Sequence, residues 1–450
     1  MDKPRQVLLI AFPTFSHYVS MVPLAKKYQS MGYKVSFTGT KAHKDLIEGW
    51  GMNFIACSYL QNYDISSFRI AVTLFVNSWL SPKFMKKRFR HYLQFSNEIA
   101  AIAAGDGIEK IVLDAHLSFY CLFFLEQLPY TIIFNTKLYT AKNNGFPPLN
   151  ANFIASRNLI GIVGANILWY LKYIRPFTHK LLNKIVLKGY DEHQFIKRSL
   201  AKKQIEYNDF FLPAYKAFFH YELNMEKVPF QHYITRTNCI EYPWKKPGIK
   251  ELYLDMPPYV NLQDISSYPN LNKFIEDFLE LKKQNHSVVL IYCALGTMTS
   301  RYKKKCIQFY KVFLKTFDNP AKYRLILSTG DVPMHIFKTQ NNAFIRKRIP
   351  QHSVLKLSNL MINHGGLNTI MECINFKVPM LVYPVNPNFD QKGNAARVVF
   401  HGIGLRGSLE KDNCDQLLKK ANKAMSLRDN IRIHEWANNN KIDGIRIFNK

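Results

Sequence analysis

A strand, a glycine turn, a helix and a second strand follow one another over residues 359–383, and this order constrains the fold more than any other part of the chain. Residues 359–362 and 379–383 are short apolar runs, which predict buried strands. Residues 363–369 form the polar glycine turn between them, and residues 370–376 have helix-forming character. This order predicts a βαβ unit in a parallel sheet. Because open α/β sheets bind ligands at the carboxyl ends of their strands, the turn is a candidate ligand site.

The turn has the chemistry of a diphosphate site. Gly365 and Gly366 let the backbone approach a ligand closely, and the next helix begins with free N–H groups and the positive end of its dipole. The imidazole of His364 and the hydroxyl of Thr369 can donate to phosphate oxygens. Glu372 lies about two helical turns after His364, where a carboxylate can reach ribose hydroxyls.

Asp390 and Gln391 begin the next predicted helix and offer a carboxylate and an amide for sugar hydroxyls. Taken singly, these residues have simpler interpretations. His364 fits a turn histidine, Glu372 a solvated helix residue, and Asp390 a helix N-cap. The functional interpretation depends on all of them falling in one register.

Together these residues resemble the donor-binding signature of the UDP-glycosyltransferase superfamily, which includes plant, macrolide and carotenoid glucosyltransferases. The matching pattern is Pro-Gln at 350–351, His-x-Gly-x-Asn-Thr at 364–369, an acid at 372, Val-Pro at 378–379, Pro384 and Asp-Gln at 390–391. The resemblance implies a donor site formed by Gln351, His364, Gly366, Asn368, Thr369, Glu372, Asp390 and Gln391.

Two further donor contacts are expected outside this motif. Gly296 and Thr297 follow an apolar run, and they resemble the family's Gly-Ser pair that contacts the phosphates. Plant members carry a tryptophan three residues before the motif glutamine, where it stacks on uracil. Arg348 stands at that position here. The resemblance therefore implies that the Arg348 guanidinium plane, or the backbone of Ile349 and Gln351, contacts the base.

The start of the chain predicts another βαβ unit. An apolar run at residues 7–12 predicts a strand, and residues 19–31 predict an amphipathic helix. In the family a Gly-His pair follows this strand; here the pair is Ser16-His17, and Ser20 replaces a later proline. The resemblance implies that His17 is the general base for the acceptor hydroxyl, because an imidazole titrates near neutral pH. The simpler alternative is a helix-capping histidine.

An acidic residue ends another predicted strand, at residues 111–114. A similar strand in the family also ends in an aspartate. The resemblance implies that Asp114 orients the imidazole of His17 and stabilises its positive charge. Alternatively, Asp114 caps the helix that begins near His116, and the two roles are compatible.

The chain has 450 residues, which is enough for two domains. Prolines and glycines concentrated between residues 242 and 258 predict the linker. We expect a first domain at 1–245, a linker at 246–265, a second domain at 266–430, and a segment at 431–450 that returns to the first domain. The resemblance implies an α/β fold of the GT-B type, with two facing Rossmann-like doubly wound domains and the active site in the cleft.

The formal net charge of +29 and the pI near 9.7 require a cause. Nucleic acid, an anionic membrane surface and a generally basic proteome are the three candidates. The sequence has no helix-turn-helix pattern, zinc-finger spacing or arginine-rich tail, so nucleic acid is the least favoured partner. Residues 82–90 interleave basic and aromatic side chains, which fits either a membrane surface or a solvated helix face.

Cysteine usage and apolar run lengths bear on location. Seven cysteines without C-x-x-C pairs predict reduced thiols, no metal bound by them, and a cytoplasmic setting. The first apolar run is too short for a signal peptide core, and no run reaches the length of a spanning helix. We expect a cytoplasmic protein that is at most peripheral to the inner face of a membrane.

The resemblance implies an inverting hexosyltransferase that uses a UDP-sugar, with glucose as the expected sugar. Residues 155–190 belong to the family's acceptor region, and their apolar content indicates a small lipophilic hydroxyl acceptor, with a core helix pair as the alternative. No Asp-x-Asp occurs, so neither a metal nor a cofactor is expected besides the UDP-sugar co-substrate. Three alternatives stay open: transfer to a membrane lipid or sterol, a non-catalytic nucleotide-sugar-binding protein, and a basic surface-binding protein.

Overall fold

Two parallel sheets organise the chain in the computed structural model. The residues described are 5–58, 94–95, 97–104, 107–117, 131–138, 145–171, 232–235, 237, 239–244, 251–254, 265–338, 340–386 and 389–431. The expectations for residues 82–90, for the acceptor region after residue 171 and for the C-terminal segment after residue 431 lie outside these ranges.

Thirteen strands are described in the two sheets. The first sheet contains β1 (Gln6–Ile10), β2 (Lys34–Gly39), β3 (Asn53–Ala56), β4 (Lys110–Asp114), β5 (Thr131–Asn135), β6 (His232–Thr235) and β7 (Glu251–Tyr253). The second contains β8 (Val289–Ala294), β9 (Tyr323–Ser328), β10 (Ala343–Arg346), β11 (Leu360–Asn363), β12 (Met380–Val382) and β13 (Gly404–Arg406).

Helices follow most of these strands, as parallel pairing requires. The α-helices with defined bounds are α1 (Phe15–Ser30), α2 (Lys44–Gly49), α3 (Pro269–Gln284), α4 (Lys303–Thr316), α5 (Gln351–Leu355), α6 (Leu367–Asn375), α7 (Gln391–Phe400) and α8 (Cys414–Met425). Residues 159–171 are also helical. The predicted strand–turn–helix–strand order is therefore confirmed as β11, α6 and β12.

The strand order creates one topological switch point in each sheet. The first sheet runs β3-β2-β1-β4-β5-β6-β7 and the second runs β10-β9-β8-β11-β12-β13. Successive connections leave β1 in opposite directions across the first sheet, and they leave β8 in the same way in the second. A crevice forms outside the carboxyl ends of the strands at such a point, and this crevice is where doubly wound sheets bind ligands. The loops after β1, β4, β8 and β11 are therefore the places to look for a site.

The sheets are buried on both faces, which explains their unbroken apolar strands. All five residues of β4 and of β5 are buried. In the first half, Val7, Leu9 and Phe37 pack in one core with Val112 and Phe134. Two further clusters cover the two faces of the second sheet.

Residues from the first half also pack onto α7 of the second half. The guanidinium of Arg397 donates to the Glu241 carboxylate at 2.5 Å, and both side chains are buried. The same guanidinium lies over the Tyr242 ring, which meets Phe400 edge to face. These contacts tie the segment at residues 239–244 to the second half.

The domain limits differ in one respect from the sequence prediction. Strand β7 lies inside the predicted linker at 246–265, where it pairs with β6 as the seventh strand of the first sheet. Its three residues are too short to show an apolar period in the sequence. The first domain therefore extends to at least Tyr253, and the remaining limits stay predictions.

The expectations of reduced cysteines and of no membrane-spanning helix can be compared only with the described residues. The six cysteines among them, residues 57, 239, 293, 306, 373 and 414, are free thiols. Within the same ranges, no helix combines the length and apolar character needed to cross a membrane.

The Glu241–Arg397 pair gives a stability prediction. Arg397→Met should remove the guanidinium from the buried Glu241 carboxylate and lower the stability of the native state by about 3–5 kcal/mol. The exposed pair of Arg5 with Glu109 is the matched control, and Arg5→Met should change stability by less than about 1 kcal/mol. Denaturant unfolding of both variants checks this, and equal losses would contradict the role given to the buried pair.

Candidate active site

The two switch points place the predicted residues at two facing strand edges. β1 and β4 pair in register up to Ile10 and Leu113, so the loops after both strands begin side by side. β8 and β11 pair in register up to Ala294 and Asn363. The first pair of loops carries the predicted base, and the second carries the predicted phosphate contacts.

His17 and Asp114 form a direct hydrogen bond. His17 lies in the first turn of α1, and Asp114 is the last residue of β4. The His17 Nδ1 atom lies 2.6 Å from Asp114 Oδ2. The Asp114 side chain is fully buried, and that of His17 is 13% exposed. This is the arrangement in which a carboxylate fixes the tautomer of a general base.

Asp114 stays ionised although it is buried. Burial would raise its pKa, but the charge of His17 and the hydrogen bonds from His116 and His17 outweigh burial and hold the pKa well below its usual range. The backbone N–H of Phe12 also donates to Asp114 Oδ2 at 3.3 Å. An ionised carboxylate can only accept hydrogen bonds, so the neutral form of the His17 ring carries its proton on Nδ1 and keeps a lone pair on Nε2.

His116 was not predicted as a site residue, yet it contacts the same carboxylate. Its backbone N–H and its ring Nδ1 lie 2.9 and 3.0 Å from Asp114 Oδ1. The hydroxyl oxygen of Thr136, just after β5, also lies 3.3 Å from His17 Nδ1. The sequence signal for His116 was its place two residues after the strand-ending acid, whereas Thr136 carried no distinguishing pattern.

His17, Asp114 and His116 are close enough to be considered as ligands of one metal ion. The nitrogen–oxygen distances of 2.6 and 3.0 Å are hydrogen-bond lengths. Ligand bonds of about 2.1 Å in a tetrahedral site would instead hold the ligand atoms roughly 3.4 Å apart. The cluster is therefore built as a hydrogen-bonded group.

In the second half, the ring of His364 lies between two glycines. A Cβ on Gly296 would approach the His364 ring to 2.4 Å, and one on Gly366 would approach it to 2.7 Å. Gly296 also has a φ of 74°, which favours glycine. The absence of side chains at these two positions is what allows the imidazole to occupy the turn.

His364 is neutral at neutral pH and has an unused polar atom. Burial lowers its pKa to about 4, and the Asp390 carboxylate raises it only in part. The buried Nδ1 atom has no hydrogen-bond partner among the described residues. A buried, unpaired ring nitrogen is unfavourable unless a ligand completes it. With a proton on Nδ1, the neutral ring can donate to an anionic oxygen.

The first turn of α6 adds backbone donors beside His364. The first helical hydrogen bond runs from the Ile370 N–H to the Gly366 carbonyl. The N–H groups of Leu367, Asn368 and Thr369 therefore have no acceptor within the helix. Their direction and the helix dipole favour an anion here.

Glu372 is held by two side chains of α5. Gln351 Nε2 donates to Glu372 Oε2 at 2.5 Å, and His352 Nε2 lies 3.2 Å from Glu372 Oε1. Tyr292 also donates to the Gln351 amide oxygen at 3.2 Å. The predicted ribose contact is thus a buried, oriented carboxylate rather than a solvated helix residue, and Gln351 acts on it directly.

Asp390 and Gln391 differ in their surroundings. Asp390 is half-buried and accepts a hydrogen bond from Asn394 Nδ2 at 3.0 Å. The Gln391 amide oxygen accepts from the backbone N–H groups of Val385 and Asn386, both at 2.8 Å. Gln391 therefore fixes the loop after β12, and the assignment of Asp390 and Gln391 to sugar hydroxyls stays a prediction.

Asn368 joins the two halves across the cleft. Its Nδ2 atom donates to the Ser16 carbonyl at 3.0 Å, and the Ser20 hydroxyl donates to its Oδ1 atom at 3.0 Å. The predicted donor residue is thus in contact with the first turns of α1. His17 lies on that same turn, so the predicted base and the predicted phosphate turn are brought together.

The remaining predicted donor residues differ in their exposure to solvent. Arg348 and Thr297 are exposed, and Ile349 is half-buried. Thr369 is buried and its Oγ1 atom lies 3.4 Å from Gln351 Nε2. The assignment of Arg348 and Ile349 to a base therefore stays a prediction.

Part of the chain is similar in sequence to known glycosyltransferases. Residues 317–441 match the glycosyltransferase family 28 C-terminal domain. The chain is 32% identical over 132 residues to the NDP-glycosyltransferase YjiC of Bacillus subtilis (strain 168), which covers 29% of this chain and 31% of that protein. It is 47% identical over 58 residues to the zeaxanthin glucosyltransferase of Pantoea ananas, or 13% of each chain. The matches span about a third or less of these relatives.

A solved structure extends the likeness to almost the whole chain. The glycosyltransferase of kitacinnamycin superposes with a TM-score of 0.63 over 96% of both chains, at 14% identity. The fold is GT-B. The predicted α/β architecture and the predicted resemblance to the UDP-glycosyltransferases are both confirmed, and identity this low shows the GT-B fold alone.

The lowered pKa of His364 gives a testable dependence of stability on pH. Its folded-state pKa near 4 lies below the ordinary value of 6.5, so the unfolded state binds more protons between these limits. The stability that His364 contributes is therefore complete above about pH 6.5 and is lost as the pH falls towards 4. Between pH 6.5 and 5, the free energy of unfolding should therefore fall by about 1–2 kcal/mol less in His364→Gln than in wild type.

Chemical denaturation at several pH values measures this difference. His286→Gln removes an exposed histidine from the loop before β8 and is the control. If the free energy of unfolding depends on pH in the same way in wild type and in His364→Gln, the ring of His364 is not buried as described.

Proposed function

We propose that this protein is an inverting glycosyltransferase that moves a hexose, expected to be glucose, from a UDP-sugar to the hydroxyl of a small lipophilic acceptor. The observation that carries the proposal is the His17–Asp114 hydrogen bond beside the phosphate-type turn of His364. A protein that only bound nucleotide-sugar would have no use for a buried base and carboxylate pair. The same pair argues against a basic surface-binding protein.

In the proposed reaction, the acceptor hydroxyl gives its proton to Nε2 of His17 as its oxygen attacks the anomeric carbon. The attack comes from the face opposite the diphosphate, so the new C–O bond has inverted configuration. The bond from the anomeric carbon to the diphosphate oxygen breaks, and UDP leaves with the electron pair. Asp114 stabilises the imidazolium that forms.

Charge on the leaving diphosphate is expected to be met by the second half of the site. The neutral ring of His364 offers an Nδ1 donor, and the first turn of α6 offers backbone N–H groups. Fixed donors of this kind stabilise developing charge without reorganisation. They supply what a bound cation supplies in other transferases, so no metal is included in the proposal.

The donor sugar and the acceptor are inferred from individual side chains and from a similar protein. Buried Glu372, oriented by Gln351, suits the ribose hydroxyls, and Asp390 suits the hexose hydroxyls. The similarity to the zeaxanthin glucosyltransferase of Pantoea ananas supports glucose and a lipophilic acceptor by analogy. Uridine selectivity stays a prediction that rests on residues 348–351.

Calorimetric titration with UDP, dTDP and ADP, without added metal, tests this division of labour. Wild type should bind UDP most tightly. His17→Ala should keep UDP affinity within about threefold and lose at least about a hundredfold in kcat, since a general base contributes roughly 10²–10⁴. Gly296→Ala should lose UDP affinity, because the added methyl group would displace His364.

A loss of UDP affinity in His17→Ala as large as that in Gly296→Ala would contradict separate donor and base sites. Absence of binding to every nucleotide would remove the donor assignment, and the catalytic proposal with it.

A second candidate acceptor is a lipid or sterol within an anionic membrane. The helix at residues 159–171 is apolar on almost every side, and its outer face is exposed. Leu159 and Ile160 are 76% and 81% exposed, and Val163 and Ile167 continue the same face. An apolar helical face on a strongly basic protein is typical of docking to a membrane surface.

Vesicle sedimentation separates this candidate from the first. The protein should bind phosphatidylglycerol vesicles and release them as salt rises. Replacing both Val163 and Ile167 with serine should weaken binding roughly thirtyfold, since each apolar side chain contributes on the order of 1 kcal/mol. Leu279→Ser, on the exposed side of α3, is the control. Equal binding by all three proteins would exclude membrane docking through this helix.

A further inference from the structure

We propose that His116 is a positioning residue that holds Asp114 in the orientation required by His17. The inference rests on the proposed function, because it assigns a task to His116 within the proposed base group. It goes beyond the pair predicted from sequence, which contained only His17 and Asp114.

The carboxylate of Asp114 has two distinct sides. Oδ2 accepts hydrogen bonds from His17 Nδ1 at 2.6 Å and from the Phe12 N–H at 3.3 Å. Oδ1 receives the His116 N–H at 2.9 Å and the His116 ring Nδ1 at 3.0 Å. A carboxylate has about four lone-pair directions, so all of them are in use, and His116 supplies both donors on one side.

This arrangement fixes the tautomer of His116 as well as that of His17. The ionised Asp114 accepts from both rings, so each ring must carry its proton on Nδ1. The His116 side chain is 28% exposed, and partial removal of its ring from water lowers its pKa, although its bond to Asp114 and the charge of Asp114 act in the opposite direction. Lys137 and His17 also lower it, and with Asp114 they are the charged groups described around this ring.

The three side chains are packed as well as hydrogen-bonded. The rings of His17 and His116 meet edge to face, with centroids 4.6 Å apart. The Phe12 ring contacts both, at 5.1 Å from His17 and 5.5 Å from His116. Phe12 thus closes one side of the group, and the Asp114 carboxylate has few orientations available while both rings are present.

Loss of the His116 ring nitrogen would leave Oδ1 with the backbone donor alone. The carboxylate could then rotate about its last side-chain bond, and Oδ2 would point at His17 for a smaller part of the time. Because His17 takes its proton only during the reaction, this change should lower kcat while the Michaelis constants stay nearly unchanged. A residue that only filled space would not lower kcat while leaving the Michaelis constants unchanged.

The first experiment is nitrogen NMR of the imidazole rings in the wild-type protein, without donor or acceptor. Both His17 and His116 should show a protonated Nδ1 and an unprotonated Nε2. Asp114→Asn should remove this signature from at least one ring, because the amide nitrogen that replaces one carboxylate oxygen donates hydrogen bonds and cannot accept them. A His116 ring protonated on Nε2 would overturn the proposal. This measurement needs no activity, so it would stand even if the proposed reaction were wrong.

The second experiment compares two substitutions at the same position. His116→Phe keeps the ring shape but removes the donor, and it should lower kcat roughly tenfold, as expected for one hydrogen bond to a charged group. His116→Asn restores an amide N–H near the Nδ1 position, so most of that loss should be recovered. Both Michaelis constants should stay within about twofold in either variant.

His286→Phe is the control for replacing a histidine, and it should match wild type. The NMR spectrum of His17 in His116→Phe shows whether the protein is folded and whether the remaining bond to Asp114 persists. An unchanged kcat in His116→Phe would overturn the positioning role, and so would equal losses in His116→Phe and His116→Asn.

Discussion

The buried carboxylate of Asp114 is the interaction on which the first half of the site depends. A charge removed from water is stable only when donors surround it, and here the donors come from the loop after β1, from α1 and from the residues after β4. Parallel pairing of β1 and β4 places these loops side by side at a switch point. His17 and Asp114 therefore meet although 97 positions separate them in the chain.

The second half of the site depends on missing side chains rather than on a buried charge. Gly296 follows β8 and Gly366 precedes α6, and the ring of His364 fills the space that their lack of Cβ atoms leaves. The ring is then too buried to hold a proton at neutral pH. In the proposed function this neutral ring would donate to the diphosphate, so its contribution to binding would come from direction and not from net charge.

Local patterns in the sequence predicted the parts of this structure that depend on neighbours in the chain. The β11–α6–β12 unit and the strand that ends at Asp114 were predicted from apolar runs and turn residues, and both are confirmed. Contacts between distant segments were not predictable from one sequence. The second donor pair on Asp114 from His116, the Gln351–Glu372 hydrogen bond and the three-residue strand β7 belong to this group. Each depends on tertiary packing, which periodicity does not record.

Ser20 shows how a departure from a family pattern acquires meaning only in three dimensions. A serine replaces the family's proline on α1, and from the sequence alone it is only a lost match. In the structure its hydroxyl donates to Asn368, 348 positions away, and Asn368 in turn donates to the Ser16 carbonyl, 352 positions away. A proline could not make the first of these bonds, because it has no hydroxyl. The turn that carries His17 and the turn that carries His364 are therefore linked through Asn368, and the geometry of the proposed base is not independent of the geometry of the proposed donor turn.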